Sequence, residues 1–114
     1  MIPTRPIEIL QYVDVDGRSP FGIWLDELDA AAFRKIKIAL GRVETGNVSN
    51  AKSVGAGVME IRVDWGPGYR VYFGRDGERL LLLLGGGTKK RQAQDIVIAR
   101  ARWADYKQRK SRRT

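Results

Sequence analysis

Between Val58 and Leu84 the chain alternates with a period of two, and this limits what it can fold into. Met59, Ile61, Val63 and Trp65 are apolar, and Glu60, Arg62 and Asp64 between them are polar. A period of two is that of a strand with one covered face and one open face. Gly66-Pro67-Gly68 predicts a turn, because glycine tolerates positive φ and proline does not continue a central strand. Tyr69–Arg75 alternates again, with Tyr69, Val71 and Phe73 set against Arg70 and Tyr72. Asp76-Gly77 is a strong hairpin signal, and Glu78–Leu84 closes a three-stranded meander. If Trp65 pairs with Tyr69, Arg62 lies opposite Tyr72 and Arg70 opposite Asp64. The two guanidiniums are then diagonal neighbours on the open face, and Glu60 and Asp64 serve as their partners. Two guanidiniums, a phenol and the following Lys89-Lys90 pair would converge on one hollow, which suits a phosphate backbone.

The flanking segments predict the rest. Pro6–Val13 reads as a first strand. Ser19-Pro20 is a helix start, with a capping hydroxyl and a proline in the first turn, and that helix runs to about Leu28. Asp29 caps a second helix with the stripe Phe33, Ile36, Leu40 and Val43, ended by Gly46-Asn47. The two helices form a hairpin that covers one side of the sheet, with Trp24 and Phe33 in the core. Val48–Gly57 reads as a polar loop that brings Lys52 to the edge of the meander. Gly85–Gly87 gives a tight exit, and Thr88 caps a last helix over Lys89–Gln108 with the stripe Ile96, Ala99, Trp103 and Tyr106. Glycines ahead of a helix raise the idea of a phosphate cradle, but the segment is not a G-x-x-x-x-G-K-[ST] loop, so nucleotide hydrolysis is rejected.

Charge and composition narrow the chemistry. The chain has 114 residues, enough for one core, and no apolar run approaches the roughly 18 residues of a membrane span. The start, Met1–Pro6, lacks the apolar region of a signal peptide. There is no cysteine, hence no disulfide and no thiolate zinc cage, which fits a cytoplasmic protein. There is no histidine either, so imidazole triads, imidazole metal sites and imidazole bases are excluded. No metal-ligand cluster is visible, and no cofactor is expected. The net charge of +8 lies entirely in the second half: residues 1–57 carry seven basic and seven acidic side chains, residues 58–114 fourteen and six. Lys107–Thr114 holds five of those cations and no anion, yet nine basic against six acidic remain without it. This asymmetry points to a polyanionic partner. The tail itself is equally well read as a solvated end.

Taken together, Glu60-Ile61-Arg62, Gly66-Pro67-Gly68-Tyr69-Arg70-Val71-Tyr72, the apolar run into Gly85-Gly86-Gly87-Thr88-Lys89, and Gln92, Asp95 and Ile96 resemble the RelE/ParE toxin superfamily. The nearest likeness is to its HigB-like branch of addiction-module killer proteins, also described as phage-derived Gp49-like. The resemblance implies an α+β fold, β-α-α-β-β-β-α, with a twisted, mainly antiparallel sheet, a helical hairpin packed on it and a C-terminal helix. It implies one toxin domain over residues 1–110, with 107–114 as a basic tail. It implies the toxin of a type II toxin–antitoxin pair, neutralised by a protein antitoxin, usually of helix-turn-helix type. RelE- and HigB-like members cut mRNA on the ribosome, whereas ParE-like members poison DNA gyrase, and fold alone does not choose between them. An inactive relic that binds only its antitoxin is a third possibility.

Residue by residue, the resemblance places Arg70 on the scissile phosphate, Lys89 or Lys90 as a further basic catalytic group, and Arg62 at a basic position of the branch. Lys52, Tyr72 and Arg91 are assigned to RNA binding. Tyr72 either stacks on a base or covers the sheet. The missing histidine leaves the general base unassigned, and Trp103 and Tyr106 lie too late in the chain to replace it. The chemistry still closes without a metal, because RNA carries its own nucleophile in the 2′-hydroxyl, and guanidinium and ammonium groups can stabilise the charge that develops. A lysine whose pKa is lowered by neighbouring arginines can take the proton.

Overall fold

A computed structural model describes residues 7–112. Pro6, the expected start of the first strand, and the last two residues of the basic tail lie outside the described residues. The strands are β1 (Glu8–Gln11), β2 (Ala51–Ser53), β3 (Val58–Val63), β4 (Tyr69–Asp76) and β5 (Leu80–Thr88). The helices are α1 (Pro20–Asp26), α2 (Ala30–Glu44) and α3 (Gln92–Arg112), and a 3₁₀ turn over Lys89–Arg91 joins β5 to α3. The sheet order is β1-β5-β4-β3-β2, antiparallel throughout except for β1, which runs parallel to β5.

Local chemistry sets the helix ends. Ser19 Oγ accepts from Gly22 N at 3.0 Å with Pro20 in the first turn, and Asp29 Oδ1 accepts from Ala32 N at 2.8 Å. Gly46, at φ 89°, closes α2 with its amide on the Val43 carbonyl. Ile36, Leu40 and Val43 are buried as the stripe predicts, but Phe33 is exposed and Ala32 takes the inward position. Trp24 is half-buried against the core.

The expectation of one open sheet face is overturned. The helical hairpin packs Phe21, Leu25, Ile36 and Leu40 on one face, against Ile61, Tyr69, Val71 and Phe73. On the other face α3 lays Ala99 and Trp103 over Val58, Tyr72, Leu82 and Leu84. Glycines make the second contact possible. A methyl on Gly74 would overlap the Trp103 ring, so the indole lies flat on bare backbone. Tyr106 Oη and Lys110 Nζ then reach Asp76 at 2.7 and 2.5 Å, and Tyr12 Oη donates to Asp105 at 2.6 Å. The basic segment 107–112 is therefore the last turns of α3.

Three further expectations change. The β3–β4 turn is longer than its glycines suggest: Val63 pairs with Tyr69, and Asp64–Gly68 forms the loop. Trp65 leaves the ladder and stacks its indole on Tyr69, centroids 6.3 Å apart, while Gly66 and Gly68 take positive φ. The shift is by two residues, so every side chain keeps its face. Opposition changes, however: Arg62 stands directly across from Arg70, and Glu60 across from Tyr72. Second, β5 does not end at Leu84. It continues through the glycines to Thr88, with Leu84 bulged between the Phe73–Leu83 and Tyr72–Gly85 pairs. A methyl on Gly86 would overlap Trp24, and one on Gly87 would overlap the Asp95 carboxylate, so the run is bare because helices press on it from both sides. Thr88 makes no side-chain cap hydrogen bond, and the regular helix starts at Gln92. Third, the polar loop contains β2, an edge strand that pairs Lys52 with Glu60 and adds a strand to the expected order.

Candidate functional site

Lys52, Glu60, Arg62, Arg70 and Tyr72 all point to the α3 side of the sheet, from three adjacent strands. Directly opposed like charges destabilise a sheet unless something compensates them. Part of the compensation for the Arg62–Arg70 pair is Glu60. Its carboxylate is 1% exposed and accepts from Arg62 Nε at 3.4 Å and from Gln92 Nε2 at 2.8 Å. The first residue of α3 thus pins the carboxylate that holds Arg62. Asp64, expected against Arg70, lies instead in the exposed turn.

Arg70 is 4% exposed and its Nε has no protein partner. Its guanidinium reaches toward the Gly68 corner. A methyl on Gly68 would stand 3.2 Å from Arg70 Nη1 and 3.6 Å from Lys89 Cβ, and the Lys89 amide donates to the Gly68 carbonyl at 2.8 Å. Arg70 and Lys89 therefore meet where the turn has no side chain. Lys89 and Lys90 are exposed on the 3₁₀ turn, and Lys52 is exposed on the edge strand. The structure brings Arg70 and Lys89 to one corner, with Lys90 beside it and Arg62 and Lys52 on the same face.

Arg91 and Tyr72 sit differently. Arg91 turns toward Asp95, 4.0 Å away, and lines a separate cleft of about 540 Å³ between α1 and α3, floored by Gly85–Gly87. Tyr72 is 1% exposed beneath α3, so of its two readings the structure has it covering the sheet, and a base cannot stack on it. Burial, followed by the Glu60 carboxylate, raises its phenol pKa far above the ordinary range. Burial also raises the Asp95 carboxyl pKa, against the opposing pull of Arg91 and Arg102. Burial lowers that of the Arg102 guanidinium, which donates to the Leu84 carbonyl at 2.8 Å. Among the described residues no group of three or more acidic side chains is placed to hold a metal ion.

Sequence reasoning missed Glu60 as the buried hub and Gln92 as its second donor. The signal was present in alternation itself, since Glu60 shares the phase of Arg62, but a polar residue in a strand was read as a solvated one.

The model of the phage-derived protein Gp49-like family (DUF891) matches residues 23–104, from within α1 to the middle of α3. The chain belongs to the Gp49-like family. That family is the HigB-like, addiction-module killer branch of the RelE toxins, a toxin family of toxin–antitoxin systems, and membership implies an antitoxin partner. An uncharacterised protein of Haemophilus influenzae is similar to this Gp49-like chain: the two are 41% identical over 81 residues, 70% of this chain and 82% of that protein. No described helix of the Gp49-like chain is long and apolar enough to cross a membrane.

Proposed function

We propose that this Gp49-like toxin is a ribosome-dependent mRNA endoribonuclease that needs no metal. One observation carries the reading: Arg62 and Arg70 are paired across β3 and β4, Arg62 held by the buried Glu60, while Arg70, its Nε without a protein partner, reaches the Gly68 corner beside Lys89. A fold has no structural reason to accept that repulsion, whereas a phosphate seated between the cations removes it.

In this reading Arg70 and Arg62 hold the scissile phosphate and stabilise the charge that builds on its oxygens. The adjacent 2′-oxygen attacks phosphorus in line, the P–O5′ bond breaks, and the products are a 2′,3′-cyclic phosphate and a 5′-hydroxyl. Lys89 and Lys90, the flexible groups at the corner, serve the two proton transfers: one amine takes the 2′-hydroxyl proton and one ammonium gives a proton to the leaving 5′-oxygen. Glu60 is a positioning residue that fixes Arg62, and Gln92 fixes Glu60. Lys52 and Arg91 take flanking phosphates as point charges. The partners are mRNA on the ribosome and a protein antitoxin of helix-turn-helix type.

The test is mRNA integrity in cells that express the chain. Cleavage at discrete codon positions, lowered about 10²–10³-fold by Arg70→Ala, is the expected result. A second reading, a toxin that binds a protein such as DNA gyrase without cleaving RNA, is favoured by the near-complete burial of Arg70. Intact mRNA together with supercoiling defects would establish that reading instead.

A further inference from the structure

We infer that a groove between α2 and the end of β3 is a single-stranded RNA track, which receives the nucleotide next to the one cut at the Arg62–Arg70 corner. The inference rests on the nuclease reading for its direction, but not for its chemistry.

The groove holds about 430 Å³. Its α2 wall is Lys35, Ile38 and Arg42, spaced at i, i+3 and i+7 on one helix face, and Ile38 is 54% exposed there. The end of β3 and Trp65 line it across from α2, and Asn47 lines it as well. Lys35 and Arg42 against the single carboxylate of Asp64, with Arg62 at the rim where it is held by Glu60, make it a channel for a polyanion. The Asn47 carbonyl oxygen is engaged by Ser49 N and Oγ at 3.2 and 2.8 Å, so the amide NH₂ is the end left for a ligand. Trp65 supplies the flat surface. Its indole is braced by Tyr69 behind it, with an interplanar angle of 21°. A base stacks on such a platform without regard to sequence, while Lys35 and Arg42 follow the backbone.

Position gives the path. Arg62 belongs to both places: it opposes Arg70 across the β3–β4 pair and it lines this groove. β2 pairs only with Met59–Ile61, so no strand covers Arg62 and Val63 on that side. A chain held by Arg62 and Arg70 on the α3 face turns over this uncovered edge onto the α2 face, where Trp65, three residues on, lies against Tyr69.

The probe is a six-nucleotide RNA with every 2′-oxygen methylated, which binds but cannot be cut, titrated against the full chain at several salt concentrations. Trp65→Ala should weaken binding about tenfold, and Trp65→Phe should restore most of it, because stacking needs a ring and not an indole. Lys35→Gln with Arg42→Gln should flatten the log–log salt slope by about 1.4, from roughly 0.7 for each lost phosphate contact. Arg70→Ala, which lowers cutting, should leave the Trp65 dependence in place. If the chain cuts no RNA and Trp65 still governs binding, the nuclease reading fails and the track stands. Wild-type binding that ignores Trp65, Lys35 and Arg42, or no binding at all, overturns the track. Loss of antitoxin capture in Trp65→Ala with RNA binding intact assigns the groove to the antitoxin, and likewise overturns it.

Discussion

Two aspartates show how burial and pairing set opposite pH dependences in one small domain. The Lys110 ammonium and the Tyr106 hydroxyl hold the Asp76 carboxyl below its ordinary 3.8. A carboxylate whose folded pKa is depressed stabilises the fold above the unfolded value, and that stability disappears as pH falls through the folded one. Asp76→Asn should therefore cost about 1 kcal/mol at neutral pH, a modest figure because Lys110 is largely solvated, and should remove part of the acid limb of the unfolding curve. Asp95 behaves in reverse. Burial raises it above 3.8, so ionising it opposes folding, and its contribution falls as pH rises from 3.8 through the folded value. Asp95→Asn should raise the neutral-pH melting temperature and flatten that slope. Melting curves of the two variants between pH 3 and 7 check both signs, and a loss of stability in Asp95→Asn at neutral pH would contradict the assignment.

At the scale of elements, the sequence was readable wherever periodicity and local chemistry agree. The caps at Ser19 and Asp29, the α2 stripe from Ile36 to Val43, the hairpin at Asp76-Gly77 and the α3 stripe through Ala99 and Trp103 all follow from spacing and capping groups alone. What could not be read was set by tertiary contact. The polar phase of β3 and β4 looked solvent-facing because alternation records polarity and not exposure, and only α3 reveals that Glu60 and Arg70 are covered. The Gly85–Gly87 run looked like an exit because glycine normally breaks strands, and only the ring of Trp24 and the carboxylate of Asp95 explain why it is a strand with no side chains. β2 has three residues and no apolar pattern, so its pairing with β3 is its sole signature. Arg62, Arg70 and Lys89 are nameable as candidates from sequence, whereas the direct pairing of Arg62 with Arg70 is not, because it depends on a two-residue register shift. The α3 contact gives its own prediction. Trp103→Ala removes the ring that lies on Gly74 and should cost about 3–5 kcal/mol in denaturant unfolding. Gly74→Ala should be destabilising too, since its methyl and the ring cannot share the space.

For the whole molecule, the sheet serves as a divider. The helical hairpin packs on one face, and α3 closes the other while placing Gln92 on Glu60 and carrying Arg109, Lys110 and Arg112 in its last turn. The 3₁₀ turn between β5 and α3 puts Lys89 against the β3–β4 corner, so the cationic site depends on every layer being in place. In the proposed nuclease chemistry the paired arginines would grip a phosphate and the RNA would be cut by its own 2′-hydroxyl. The most direct measurement programs ribosomes with an mRNA that carries one 2′-deoxynucleotide immediately 5′ of the cut phosphate, and compares its cleavage with that of the all-ribose message. The account predicts no cleavage at the deoxy position and, in the ribose message, a cyclic or 2′/3′-phosphate end facing a 5′-hydroxyl. Equal cleavage of both messages, leaving a 3′-hydroxyl, would contradict it.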